Sequence, residues 1–204
     1  MNIPAAVLDL VLPPTCAACG APSGDGLCSE CGSALAGLAL ADLGAEALGP
    51  GIDAIGAYAY DGVIRRAILS MKVGGRHATA RPLGRLLRYE LGLPEPVAAP
   101  WTVTWVPSTR RKRRQRGAEI PRLLAGQGAV GLLRRPRQGP DQTELHVEQR
   151  RHAPRGAFIA TAHVPSRVLL IDDVRTTGAT ALAAATALRD GGAEQVMVAT
   201  LAVA

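Results

Sequence analysis

Two groups of residues in this chain are of the types and spacing that do chemistry. In the first, Val168-Leu169-Leu170-Ile171 runs into Asp172-Asp173 and then Val174-Arg175-Thr176-Thr177-Gly178-Ala179-Thr180. Four consecutive apolar residues suit a strand buried on both faces of a parallel sheet, with the two acids at its carboxyl end, where open parallel sheets bind ligands. The turn that follows reads as a phosphate cradle. Gly178 lets backbone approach a ligand, successive N–H groups and a helix start supply positive potential, and Thr176, Thr177 and Thr180 add hydroxyls. Carboxylates repel phosphate, so Asp172 and Asp173 must take a different part of the same ligand. A vicinal diol, which donates two O–H bonds, fits them. A sugar carrying both a phosphate and a free diol meets both demands, and ribose 5-phosphate is the obvious one. An aspartate-capped turn into a helix explains one acid and one threonine but not the set.

The second group is Cys16-x2-Cys19 and Cys28-x2-Cys31, separated by eight residues and each followed by glycine. Two such knuckles can converge four thiolates tetrahedrally on Zn2+, leaving no coordination position for water, as in a structural site. Two disulfides or a redox pair are the other chemistries open to this spacing. The absence of an export signal in the apolar segment 1–14 favours zinc and a cytoplasmic setting, and makes four cysteines too few for a secreted disulfide scaffold.

A third stretch, Val106-Pro-Ser-Thr-Arg-Arg-Lys-Arg-Arg-Gln-Arg-Gly117, is the densest basic run. It follows a strand pattern, so Ser108, Thr109, Arg110 and Arg111 stand nearest the strand end and are candidates for a second anion. Lys112, Arg113, Arg114 and Arg116 exceed what one small anion uses. They read either as a solvated charged loop or helix start, or as a track for a nucleic-acid backbone. The net charge of +6 rests almost wholly on arginine, whose planar fork suits phosphate oxygens; a GC-rich genome produces the same bias.

Positioning these residues requires a core, and 204 residues at 48% hydrophobic content can bury one. Segment 1–14 reads as a short amphipathic helix, too short to span a membrane. Residues 1–35 then form an N-terminal helix and four-cysteine module that needs its metal to fold, and 36–51 reads as a linker. From Ile52 to Ala204 strand patterns alternate with helical ones. Val63, Ile64, Ala67, Ile68 and Met71 share one helical face, and Trp101 to Pro107 is a bounded strand. Pro121 is tolerated in the first turn of another helix. The polar, proline-interrupted stretch 134–157 reads as a hood loop over a ligand. The expected fold class is α/β: a mostly parallel sheet with helices on both faces, preceded by a small zinc ribbon.

The acidic turn resembles the phosphoribosyl pyrophosphate (PRPP) signature of type I phosphoribosyltransferases. The order of segments along the whole chain resembles the competence protein F (ComF) family: four cysteines, then Tyr60 to Gly75, the basic run, the stretch Arg134 to Phe158, and the acidic turn. The resemblance implies that Asp172 and Asp173 serve catalysis by holding the ribose hydroxyls, while Arg175, Thr176, Thr177, Gly178, Ala179 and Thr180 enclose the 5'-phosphate. It implies a Mg2+ ion riding on substrate oxygens, and it places Lys72 with Ser108, Thr109, Arg110 and Arg111 toward pyrophosphate. It also implies two partners: PRPP, as substrate of a phosphoribosyl transfer to nitrogen or as a ligand, and, as the alternative, single-stranded DNA and an uptake machinery in which the PRPP site is regulatory. An oligomer is compatible with either. The chain departs from the family pattern at Ser108-Thr109, at Ala118-Glu119-Ile120 and at Ala153, while the acidic turn is intact.

Overall fold

The computed structural model describes residues 15–24, 26–73, 75–93, 100–136, 156–161 and 163–204. The expected N-terminal helix over 1–14 and most of the hood, 137–155, lie outside the described residues.

The centre is a five-stranded sheet in the order β1-β2-β7-β6-β3. Here β1 is Glu46–Gly49, β2 Ile52–Ala59, β3 Thr102–Trp105, β6 Arg167–Arg175 and β7 Gln195–Val203. β2, β7, β6 and β3 run parallel to one another, and β1 alone is antiparallel, against β2. The 36–51 stretch expected as a linker therefore contributes a sheet edge. Its low periodicity hid a four-residue strand in which Glu46, Ala47 and Gly49 pair with β2.

β6 shows why the sheet has helices on both faces. Leu169 and Ile171 enter one core with Leu201 of β7, while Val168 and Leu170 enter the other with Val196 and Val198. Strand alternation thus divides an unbroken apolar run between two layers. The first layer holds α2 (Gly62–Lys72), α3 (Ala80–Glu90) and α5 (Ile120–Ala125), through residues such as Ile68, Leu87 and Leu124. The second holds α6 (Ala179–Asp190), packed through Ala184, Ala185 and Leu188. The five apolar positions expected on one face of α2 are all buried, and Asp61 caps its start by accepting from the Gly62 amide at 2.7 Å. A Cβ at Gly84 would collide with the Leu124 carbonyl, so a glycine is what lets α3 lie against α5.

The basic run, open in sequence to a charged loop or a helix start, forms α4 (Arg110–Arg116). Its caps make it a helix where periodicity gave no sign. Thr109 Oγ1 accepts from the Lys112 amide at 3.2 Å, and Gly117 closes the end in the left-handed conformation at φ 73°. A two-stranded antiparallel ribbon, β4 (Leu133–Arg134) with β5 (Ile159–Ala160), ties together the two ends of the hood stretch. No helix among the described residues is long and apolar enough to cross a membrane.

Candidate functional site

The N-terminal module is built by short-range contacts. The Gly20 amide donates to the Cys16 carbonyl at 2.9 Å, closing a turn that presents Cys16 and Cys19, with Gly20 at φ 83°. The second pair uses a helix start instead of a free turn. Cys28 is the N-cap of α1 (Ser29–Ala36), and Cys31 lies in its first turn. The four Sγ atoms lie within 4.8 Å of one another, with Cys19 and Cys28 Sγ 3.7 Å apart. Zn–S bonds of about 2.3 Å in a tetrahedron place sulfurs about 3.8 Å apart, so the quartet fits zinc. All four cysteines are free and converge on one point rather than forming two separate pairs. Cys16 and Cys31 are buried against Val63 of α2, and Arg76 Nη1 donates to the Cys16 carbonyl at 3.5 Å. The module is therefore seated on the α/β body.

The acidic turn opens on a pocket of about 340 Å³. Its position follows from unequal strand lengths. β3 stops pairing at Trp105↔Ile171, and the Val106 amide still donates to the Ile171 carbonyl at 3.0 Å, whereas β6 continues to Arg175. Asp172 and Asp173 thus lie inside β6 but beyond the end of its neighbour, which exposes them to the crevice. Both acids border the pocket. Asp173 meets α2, where Lys72 Nζ donates to its Oδ1 at 2.6 Å, and the Asp173 amide donates to Asp172 Oδ1 at 2.8 Å.

Burial, and then the Asp173 carboxylate, push the Asp172 carboxyl up to about 7; the Asp173 amide, Lys72 and Lys112 pull against that rise. The free pocket therefore holds an acid whose charge is only partly compensated, the state expected where an incoming donor or cation completes the balance.

Beyond the acids along the chain, Gly178 in the left-handed conformation (φ 71°) starts α6, and Thr176, Gly178, Ala179 and Thr180 line the pocket. Thr177 is exposed and its Oγ1 accepts weakly from the Ala179 amide at 3.5 Å, so it caps the turn instead of lining it. Arg175 borders the pocket, but its guanidinium is committed to Glu46 and to the Gly44 carbonyl, with a side chain only 4% exposed. The guanidinium thereby ties the strand end to the β1 edge.

The basic run divides differently from the expectation that proximity to the strand end decides. Ser108, Thr109, Lys112 and Arg116 line the pocket, whereas Arg110 and Arg111 are exposed and do not. The reason is the helix: Lys112 and Arg116 are four apart and share a face, and Arg110 and Arg111 point elsewhere. The Ser108 amide is also taken, by Glu119 Oε1 at 2.6 Å, and Arg113 Nη1 lies 3.4 Å from the other oxygen. Lys72 lines the same pocket as Ser108 and Thr109 and is bonded to Asp173.

Sequence reasoning missed Arg135, Thr200 and Tyr60, which also line the pocket. Thr200 stands opposite Asp172 in the β6–β7 register, fully buried in a β7 of otherwise apolar inward residues. A lone threonine in such a strand was the available signal. With carboxylates, hydroxyls and cations lining one pocket, the arrangement can hold a ligand that is both a hydroxyl donor and an anion.

Among known families, the model of the double zinc ribbon domain matches residues 7–39. The chain's four cysteines supply one metal quartet within that span. No curated protein matches the chain.

Proposed function

We propose that the chain binds PRPP with Mg2+ and belongs to the phosphoribosyltransferase-like proteins of the competence protein F family, moving phosphoribose to a nitrogen nucleophile or using PRPP as a ligand. The observation that carries this reading is the pairing, in one crevice, of Asp172 and Asp173 with a glycine-and-threonine cradle at the start of α6. Asp172 and Asp173 would accept the ribose hydroxyls, and Thr176, Gly178, Ala179 and Thr180 would surround the 5'-phosphate. Mg2+ would enter on the substrate's oxygens, and the partly compensated Asp172 suits a cation nearby; when bound, the ion neutralises pyrophosphate charge. In a transfer, the nucleophile's nitrogen bonds to C1 as the C1–O bond breaks and its electron pair leaves on pyrophosphate. The chain's contribution is then orientation and electrostatics.

PRPP with Mg2+ is expected to raise the melting temperature of the zinc-loaded protein, since a native-state ligand at a hundredfold over its Kd adds about 2.7 kcal/mol. Ribose 5-phosphate should raise it less. Replacing both acids, Asp172→Asn with Asp173→Asn, should abolish both responses. An unchanged response in the double variant ends the reading.

A second reading, a single-stranded nucleic-acid module with a regulatory PRPP site, is favoured by one observation. Arg110, Arg111, Arg113 and Arg114 of α4 are all exposed and outside the pocket lining. Against it stands the shortage of stacking surface. Among the described aromatics Tyr89 is the exposed one, at 84%, whereas such platforms stack base after base.

A further inference from the structure

The pocket is bordered by five cations, of which two are already paired and two stand on the short α4. Lys72 is bonded to Asp173, Arg175 is bonded to Glu46, and Lys112 and Arg116 extend from a short helix of all-polar sequence. Arg135 is different. It follows β4, where alternation buries Leu133, exposes Arg134 and turns Arg135 back inward. Its guanidinium carbon lies 4.1 Å from the centroid of the Phe158 ring, and its Nε donates to the Pro107 carbonyl at 2.7 Å. Ring and carbonyl fix the plane of the fork from two sides. Neither Nη makes a hydrogen bond among the described residues, so the two-pronged end of the fork is left for a ligand.

The neighbours define what that ligand is. Pro107 precedes Ser108 and Thr109, which line the same wall, while the threonine cradle belongs to the start of α6. Burial works against the Arg135 charge and the Asp172 and Glu119 carboxylates work for it, which leaves a desolvated guanidinium, the form that binds phosphate oxygens most strongly.

We propose that Arg135 is the residue that grips the pyrophosphate group of PRPP, through a bidentate contact from its pre-oriented guanidinium. This rests on the PRPP reading of the pocket. It also replaces Arg110 and Arg111 with a residue distant in sequence that is bonded to Pro107 beside Ser108 and Thr109, and it gives Phe158 a purpose, that of holding the fork in plane.

The test is calorimetric titration of the zinc-loaded full chain with Mg2+-pyrophosphate, with ribose 5-phosphate and with PRPP, for the parent, Arg135→Gln and Arg135→Lys. Loss of a charge-assisted contact should weaken pyrophosphate and PRPP by about 10- to 100-fold in Arg135→Gln. Ribose 5-phosphate should stay within about twofold. Arg135→Lys keeps the charge without the fork and should fall between. If Arg135→Gln fails to fold, the lysine variant decides, by the same separation of pyrophosphate from ribose 5-phosphate. Equal weakening of both ligands makes Arg135 a structural tie between the ribbon and Pro107 and overturns the proposal, as does no weakening of either. A parent that binds pyrophosphate through Arg135 but neither ribose 5-phosphate nor PRPP ends the PRPP reading and leaves Arg135 an anion ligand. A parent that takes no pyrophosphate ends the assignment of Arg135 outright.

Discussion

The cysteine quartet and the acidic crevice are both made of tight turns, yet they are assembled in opposite ways. All four thiolates come from Cys16 to Cys31, and zinc leaves none of their demands unmet. The crevice draws on Lys72, on Ser108, Thr109, Lys112 and Arg116, on Arg135 and on the 172–180 turn, and leaves Asp172 with its charge disfavoured and the Arg135 Nη atoms without a hydrogen bond among the described residues. A site that serves the fold closes on itself, whereas one built to receive a ligand retains groups that the fold alone does not satisfy. The two are joined by α2, which starts with Val63 against Cys16 and Cys31 and ends with Lys72 on Asp173.

Breaking the closed site should have the largest effect. Structural zinc contributes on the order of 10–16 kcal/mol to isolated zinc-finger peptides, so Cys28→Ser or Cys31→Ser should lose the metal and unfold the module. The parent should carry close to one zinc per chain by elemental analysis. Because Ala17 and Leu35 are part of the main core, the α/β body should keep its helical circular dichroism but melt at a lower temperature. Through α2, zinc removal by a chelator should also weaken PRPP binding. A body that melts and binds as before would show the two sites to be independent.

The same contrast explains what could be read from sequence. The quartet and the β6–α6 turn are contiguous, so spacing alone located them; strand alternation along Val168 to Ile171 gave the two-faced sheet. The α4 helix was legible only as an alternative to a charged loop, because Arg110 to Arg116 has no apolar stripe and its order comes from Thr109 and Gly117. For the same reason Lys112 and Arg116 could not be separated from Arg110 and Arg111 without the helical period. The β1 edge was hidden because its residues are paired by backbone and half exposed. Arg135 sits in a polar stretch without steady period, and its neighbours Phe158 and Pro107 are distant in sequence.

The next effect sharpens the claim that the crevice is held at a cost to stability. The folded Asp172 carboxyl is raised from its usual 3.8 to about 7, so the folded state binds the proton more tightly than the unfolded one. Its contribution is full below about pH 4 and is lost as pH rises through about 7. Asp172→Asn, which removes the titration, should therefore gain on the parent by about 1–3 kcal/mol between pH 5 and pH 8 in the ligand-free protein. Denaturant unfolding at the two pH values measures it. A variant that tracks the parent at both would mean the acid is already compensated, and the contrast with the cysteine site would weaken.

The smallest effect concerns the outer side of α4. Arg110, Arg111 and Arg114 are exposed, lie outside the pocket lining and make no ion pair among the described residues, unlike Arg113, which reaches Glu119. Changing these three to serine should leave PRPP binding within about twofold, because the pocket-facing Lys112 and Arg116 remain. If the outer face tracks a single-stranded nucleic acid, each arginine neutralises a phosphate and releases a counterion, with a salt slope near 0.7 per contact. The triple variant should then show a slope shallower by about two units, and the loss should be similar across oligonucleotide sequences, since phosphate contacts carry no base information. We expect weak, salt-sensitive binding of that kind, measured by fluorescence anisotropy over a salt series. Parent and variant binding oligonucleotide equally poorly at every salt concentration, with PRPP protection intact in both, would make the outer arginines a solvated face and leave the crevice as the chain's one ligand-directed surface among the described residues.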